Sequence, residues 1–261
     1  MNILFLGDVN GKVGRTMVRS NLNKLILDNN IDFTIANVEN AAAGFGITPP
    51  ITEEFLSWGI DLLTTGNHIW DKKEIMPYLE SQPRLLRPVN YPPGLKGYGW
   101  GTAQTRSGET VVVVNLMGRV FMPPVDCPFQ AIDRLLPELQ KHSKIIIVDM
   151  HAEASSEKQA MGVHVDGRVS AVVGTHTHVQ TADERVLPGG TGYITDCGFA
   201  GAIDSVIGVI KEQALLRFLT SMPTKFESAT GRGTVQGVVI ELSSETGRCA
   251  AIRRVRIDEP A

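Results

Sequence analysis

Five short apolar runs in this chain each stop at residues able to hold a metal ion, which constrains the fold more than any other feature. Ile3-Leu4-Phe5-Leu6 ends at Gly7-Asp8, Phe33-Thr34-Ile35-Ala36-Asn37-Val38 ends at Glu39-Asn40, and Leu62-Leu63-Thr64-Thr65 ends at Gly66-Asn67-His68. Ile145-Ile146-Ile147-Val148 leads through Asp149-Met150 to His151, and Ala171-Val172-Val173 leads to Gly174-Thr175-His176-Thr177-His178. Runs rich in Val and Ile without alternation suit strands buried on both faces, as in a mostly parallel sheet covered by helices. Such sheets bind ligands beyond the carboxyl ends of their strands. The chemistry is therefore expected at one end of a sheet.

The histidine pair points to two ions. In extended chain, residues i and i+2 face the same side about 6.6 Å apart. Two ions about 3.5 to 4 Å apart would accept one ring each with less strain than a single ion would impose. A group shared between the ions needs two suitably directed oxygens, and Asp8 and Glu39 are the candidate carboxylates. His151, His176 and His178 offer imidazole nitrogen, and Asn40 and Asn67 offer amide oxygen. That mixed set suits Fe, Mn or Zn better than Mg or Ca. Taken singly, an Asp after a first strand is more often a turn former or helix cap than a ligand. An isolated His142 or His164 reads as an ordinary surface or core residue. Concurrence at the five run ends outweighs those readings.

Gly7-Asp8, Gly66-Asn67-His68 and Gly174-Thr175-His176-Thr177-His178 resemble, in order, three motifs of the calcineurin-like metallophosphoesterases. Gly7-Asp8-Val9-Asn10-Gly11, Asn37-Val38-Glu39-Asn40-Ala41-Ala42, Gly66-Asn67-His68-Ile69-Trp70-Asp71 and Asp149-Met150-His151-Ala152-Glu153 resemble the YmdB-type subfamily over nearly the whole chain. The resemblance implies a four-layer α/β/β/α sandwich, a single metallophosphoesterase domain over residues 1–261. It also implies two bound metals, iron foremost with manganese or zinc as alternatives. Asp8, Glu39, Asn40 and His178 would surround the first, Glu39 would bridge, and Asn67, His151 and His176 would complete the second. His68 matches the histidine that donates a proton to the leaving oxygen. Small phosphodiesters are the implied substrates, with 2′,3′-cyclic nucleotides the class associated with the subfamily.

Three departures from the wider superfamily carry chemical consequences. Asp8-Val9-Asn10 lacks the usual histidine two residues after the aspartate, and by resemblance Asn40 takes its place. Glu39 stands for a bridging Asp, so the loop from Asn40 to Gly46 must absorb an extra methylene. No carboxylate directly follows His68. Asp71 either orients His68 or serves as a helix N-terminal charge.

Rival readings stay open. A phosphomonoesterase or small nuclease could use the same centre, and a regulatory protein could bind a nucleotide with slow turnover. An amidohydrolase also uses His-x-His, but generally on its first strand, where this chain has Asp8.

A net charge of −3 over 261 residues gives no global basic footprint, so long nucleic acid is disfavoured as a substrate. Cys127, Cys197 and Cys249 are odd in number and widely spaced, which argues against disulfides or a thiolate zinc site. No segment is long and apolar enough to serve as a membrane span, and the expectation is a cytoplasmic enzyme. Assembly into a homo-oligomer is left open.

Between the runs, Val18, Leu22 and Leu25 mark one helix, and Ile132, Leu135, Leu136 and Leu139 another. Thr48-Pro49 reads as an N-cap with proline at the first helical position. The Pro- and Gly-rich stretch from Pro83 to Gly108 reads as a long connection. Phe45 reads as packing under its loop more readily than as a base-stacking residue. Residues 205 to 233 hold an apolar helix suited to a cap or a subunit contact. Alternation near Val238 to Leu242 and Ala250 to Val255 suggests two final strands in a second sheet.

Overall fold

A computed structural model describes residues 1–260. The chain begins with β1 (Asn2–Leu6), β2 (Asp8–Val9), α1 (Gly11–Asp28), β3 (Phe33–Asn37), α2 (Pro49–Ser57), β4 (Leu62–Thr64), a 3₁₀ turn (Asn67–Trp70), α3 (Ile75–Tyr78) and β5 (Leu85–Leu86). It crosses to β6 (Trp100–Gln104), β7 (Thr110–Met117), α4 (Pro128–His142), β8 (Ile145–His151), α5 (Ser155–His164), β9 (Ala171–Thr175), β10 (Arg185–Val186) and β11 (Gly192–Ile194). It returns through β12 (Phe199–Ala202), α6 (Lys211–Thr220), β13 (Gly233–Leu242) and β14 (Cys249–Asp258).

These strands form two sheets. The eight-stranded sheet runs β2-β12-β13-β1-β3-β4-β5 with β14 beside β13, and the six-stranded sheet runs β10-β11-β9-β8-β7-β6. β1, β3 and β4 are parallel, as are β7, β8 and β9, so the carboxyl ends of the apolar runs within each sheet lie on one side.

The sheets pack face to face through Ile3, Phe5, Phe33 and Ile35 on one side and Val111, Val113, Ile145 and Ile147 on the other. The outer face of the larger sheet packs on Val18, Leu22 and Leu25 of α1 and Phe55 of α2. The outer face of the smaller sheet packs on Ile132, Leu136 and Leu139 of α4 and Met161 of α5. The fold is therefore the expected α/β/β/α sandwich. Each such side chain, fully buried, stabilises it by roughly 1.5–3 kcal/mol relative to exposure.

Two expectations are corrected. β13 and β14 belong to the same sheet as β1, with β13 inserted between β1 and β12. β13 is buried at nine of its ten residues, so it is covered on both faces and does not alternate as expected. The Pro- and Gly-rich stretch carries β5 and β6, which form one edge of each sheet, and so links the two. Thr48 does occupy the N-cap of α2 with Pro49 at the first helical position, although its side chain makes no capping hydrogen bond and its carbonyl accepts the Thr52 N–H and hydroxyl.

Helix α6 buries only Ala214, and Phe218 and Leu219 are 79% and 82% exposed. No helix among the described residues is long and apolar enough to cross a membrane. The three cysteines are free thiols.

Candidate metal centre

The carboxyl ends of the strands meet at the seam between the two sheets. Asp8, Glu39, Asn40 and Asn67 arrive from the larger sheet, and His151, His176 and His178 arrive from the smaller. Glu39, His151 and His176 place one ligating atom each within 4.8 Å of one another. Glu39 Oε1 is 3.1 Å from His151 Nε2, which lies 3.1 Å from both Asn67 Oδ1 and His176 Nδ1. The neighbouring half holds Asp8 Oδ1, 3.6 Å from His178 Nε2. Asn40 Nδ2 spans the halves, 3.3 Å from both His178 Nε2 and Glu39 Oε1. All seven residues expected as ligands are thus gathered.

The second nitrogen of each ring faces away from the cluster to a fixed partner. His151 Nδ1 donates to Thr175 Oγ1 at 2.9 Å, and that hydroxyl donates to Asp149 Oδ1 at 2.6 Å. His178 Nδ1 donates to the Ile207 carbonyl at 2.7 Å. His176 Nε2 lies 3.2 Å from Glu153 Oε2. Such outward partners fix the orientation and tautomer of metal-binding imidazoles. Sequence reasoning missed Glu153, Thr175, Asp149 and Ile207. Glu153 and Asp149 lie two residues from His151, on the same side of an extended chain, which is a readable signal.

The buried charges form a compensated set. Burial raises the Asp8 carboxyl, but the charge of the neighbouring His178 outweighs it and holds Asp8 well below the usual range. Burial also opposes ionisation of Glu39, and the charge and hydrogen bond of His151 lower it nonetheless. Burial lowers His178, but the Asp8 charge pushes it up to about 9. His176 falls to about 3 through burial and then the neighbouring His151 charge. Asp8 Oδ1 is buried without a hydrogen-bond partner. An orphaned carboxylate oxygen facing an imidazole nitrogen is a donor set that fits a cation.

The histidine pair departs from the extended geometry expected for it. β9 ends at Thr175, and His176 and His178 take φ of +95° and +60°. L-residues seldom adopt this backbone unless their surroundings fix it. His176 N–H donates to Asp8 Oδ2 at 3.0 Å, and Asp196 Oδ2 accepts the Thr177 N–H at 3.0 Å and its hydroxyl at 2.7 Å. Asp196 is in turn paired with the buried Lys158 at 2.8 Å. The turn sends one ring to each half of the cluster. Lys158→Met removes the cation and leaves Asp196 charged and buried, an expected loss of about 3–5 kcal/mol, read as a lower urea midpoint at unchanged slope.

Gly66 precedes Asn67, and a Cβ there would collide with His151 Nε2 and Glu39 Oε2. Gly66→Ala is expected to displace both groups and reduce turnover about 10²-fold while leaving helix content unchanged by circular dichroism.

His68 stands at the rim. Its backbone N–H donates to Glu39 Oε2 at 3.1 Å, and its Nδ1 meets Asp71 Oδ2 at 2.8 Å. The residues between form a 3₁₀ turn, so of the two readings of Asp71 the structure favours the orienting one.

The family model described as YmdB-like protein matches residues 4–255. The chain belongs to the YmdB-like family. This YmdB-like protein is 47% identical over 259 residues to the 2′,3′-cyclic-nucleotide 2′-phosphodiesterase of Bacillus subtilis (strain 168), covering 99% of this chain and 98% of that one. Among solved structures, a hypothetical protein from Thermus thermophilus superposes with a TM-score of 0.93 at 43% identity, with both chains covered in full. A novel phosphatase from Mycoplasma pneumoniae superposes with a TM-score of 0.92 at 33% identity, covering 99% of this chain and 93% of that one.

Proposed function

We propose that the protein is a binuclear-metal phosphodiesterase acting on small phosphodiesters, with 2′,3′-cyclic nucleotides as the substrate class. The observation that carries this reading is the set of inward-facing imidazole nitrogens, each fixed by an outward partner, around two buried carboxylates. The activity for which the Bacillus relative is named supports the cyclic substrate.

Asp8, Glu39, Asn40 and His178 would hold one cation, and Glu39, Asn67, His151 and His176 the other, with Glu39 shared. Asn40 would have to turn its amide by half a revolution to present oxygen in place of the N–H groups it now directs at Glu39 and His178. The bound cations, iron foremost with manganese or zinc as alternatives, would supply positive charge that neutralises phosphate oxygens and acidifies water. His68 would hold its Nδ1 proton against Asp71 and give a proton from Nε2 to the departing alkoxide, which is a poor leaving group without one.

The test is hydrolysis of 2′,3′-cyclic AMP beside 3′,5′-cyclic AMP and p-nitrophenyl phosphate, with Mn²⁺ and with chelator. Metal-dependent turnover of the 2′,3′ ester is the expected result. Turnover confined to the monoester would replace the reading with a phosphomonoesterase.

A further inference from the structure

A cavity of about 250 Å³ opens above the cluster, and Glu39, His68, His176 and His178 lie at its polar end. Inorganic phosphate would fill only a fraction of that space. The remaining walls include Phe45, from the loop after β3, and Ile207, Val209 and Phe226, from the segments on either side of α6. Phe45 stands edge-on to His68 with ring centres 5.1 Å apart. Arg217, outside the cavity, places its guanidinium 5.4 Å from the centre of the Phe226 ring.

Ile207 points to the use of this space. Val206 and Val209 exchange backbone hydrogen bonds, so Ile207-Gly208 is a two-residue hairpin loop, with φ of +49° and +98°. Loops with positive φ at both positions favour Asn-Gly, and a β-branched residue there is strained. Ile207 is 48% exposed, so packing in the protein's own core does not explain its side chain. Its carbonyl orients His178, but any residue supplies a carbonyl. What isoleucine adds is an apolar surface facing the cavity.

We propose that Phe45, Ile207, Val209 and Phe226 form a cleft for the nucleobase. The proposal rests on the phosphodiesterase reading for its choice of ligand. The four wall side chains carry no donor or acceptor. They grip the flat face of a base, which every base offers, and leave its edge unread. Purines, with the larger face, are therefore held more firmly than pyrimidines.

The experiment is calorimetric titration of the Mn²⁺-loaded, full-length protein with 3′-AMP, 3′-CMP and inorganic phosphate. The wild type is expected to bind 3′-AMP at least tenfold more tightly than phosphate, with 3′-CMP between them. Phe45→Ala and Phe226→Ala should each weaken 3′-AMP roughly tenfold, the typical worth of a base stacked on an aromatic ring, and leave phosphate unchanged. Phe226→Leu, which keeps apolar bulk, should also weaken 3′-AMP. Ile207→Asn, which suits the turn, should raise the thermal midpoint and weaken 3′-AMP without altering phosphate. Equal affinities of the wild type for 3′-AMP and phosphate would overturn the proposal, as would variants that weaken both ligands alike. Base-dependent binding without hydrolysis of the cyclic ester would keep the cleft and sink the phosphodiesterase reading. Hydrolysis with a KM unmoved by the phenylalanine variants would do the reverse.

Discussion

Protein carrying Glu39→Gln is expected to lose bound metal, measured by elemental analysis of the purified variant, and more than ~10³-fold in turnover. Glu39 is fully buried, with Oε1 beside His151 and Asn40 and Oε2 accepting the His68 N–H. Glutamine keeps the shape but removes the charge and replaces one acceptor with a donor group. Metal ions contribute several kcal/mol of charge stabilisation in such reactions, and each 1.36 kcal/mol is tenfold in rate. On the proposed reading added Mn²⁺ should not restore activity, because the element removed would be the carboxylate that both ions share. Retained metal with turnover within tenfold of wild type would remove Glu39 from the bridging role.

His68→Ala is expected to separate chemistry from metal binding. Turnover should fall ~10²- to 10⁴-fold, the usual worth of a positioned acid, while metal content stays at the wild-type level. Metal is retained because the contact of residue 68 with Glu39 is made by its backbone N–H, which alanine keeps. Asp71→Asn should produce a smaller loss in the same direction. An ester with a p-nitrophenolate leaving group, which departs without a proton, should lose little in either variant. Loss of metal from His68→Ala would refute its assignment as the acid.

The positions of the gathered residues were legible because apolar runs and metal-competent residues adjoin in the sequence. A parallel sheet turns that adjacency into proximity at the carboxyl ends of β3, β4, β8 and β9. What escaped was non-local or conformational. The clamp of Lys158 and Asp196 on Thr177 links residues up to 38 positions apart, and nothing in the local pattern of either announces it. His176 and His178 looked like a continuing strand because their positive φ is imposed by Asp8 and Asp196, and isolated chain has no reason to adopt it. β5 is too short to show a period, and β13, buried on both faces between β1 and β12, does not have the alternation expected of it.

The seam between the sheets joins parts of the chain that are remote along it, with the Asp8 to His176 hydrogen bond spanning 168 residues. A cation bound there would rivet the two sheets together. A ligand that binds only the folded state adds its binding free energy to stability. Opening the sandwich would require releasing the ion, so the same atoms that serve turnover would also set how long the molecule resists proteases. Scarcity of the metal would then shorten the life of the protein as well as silence it.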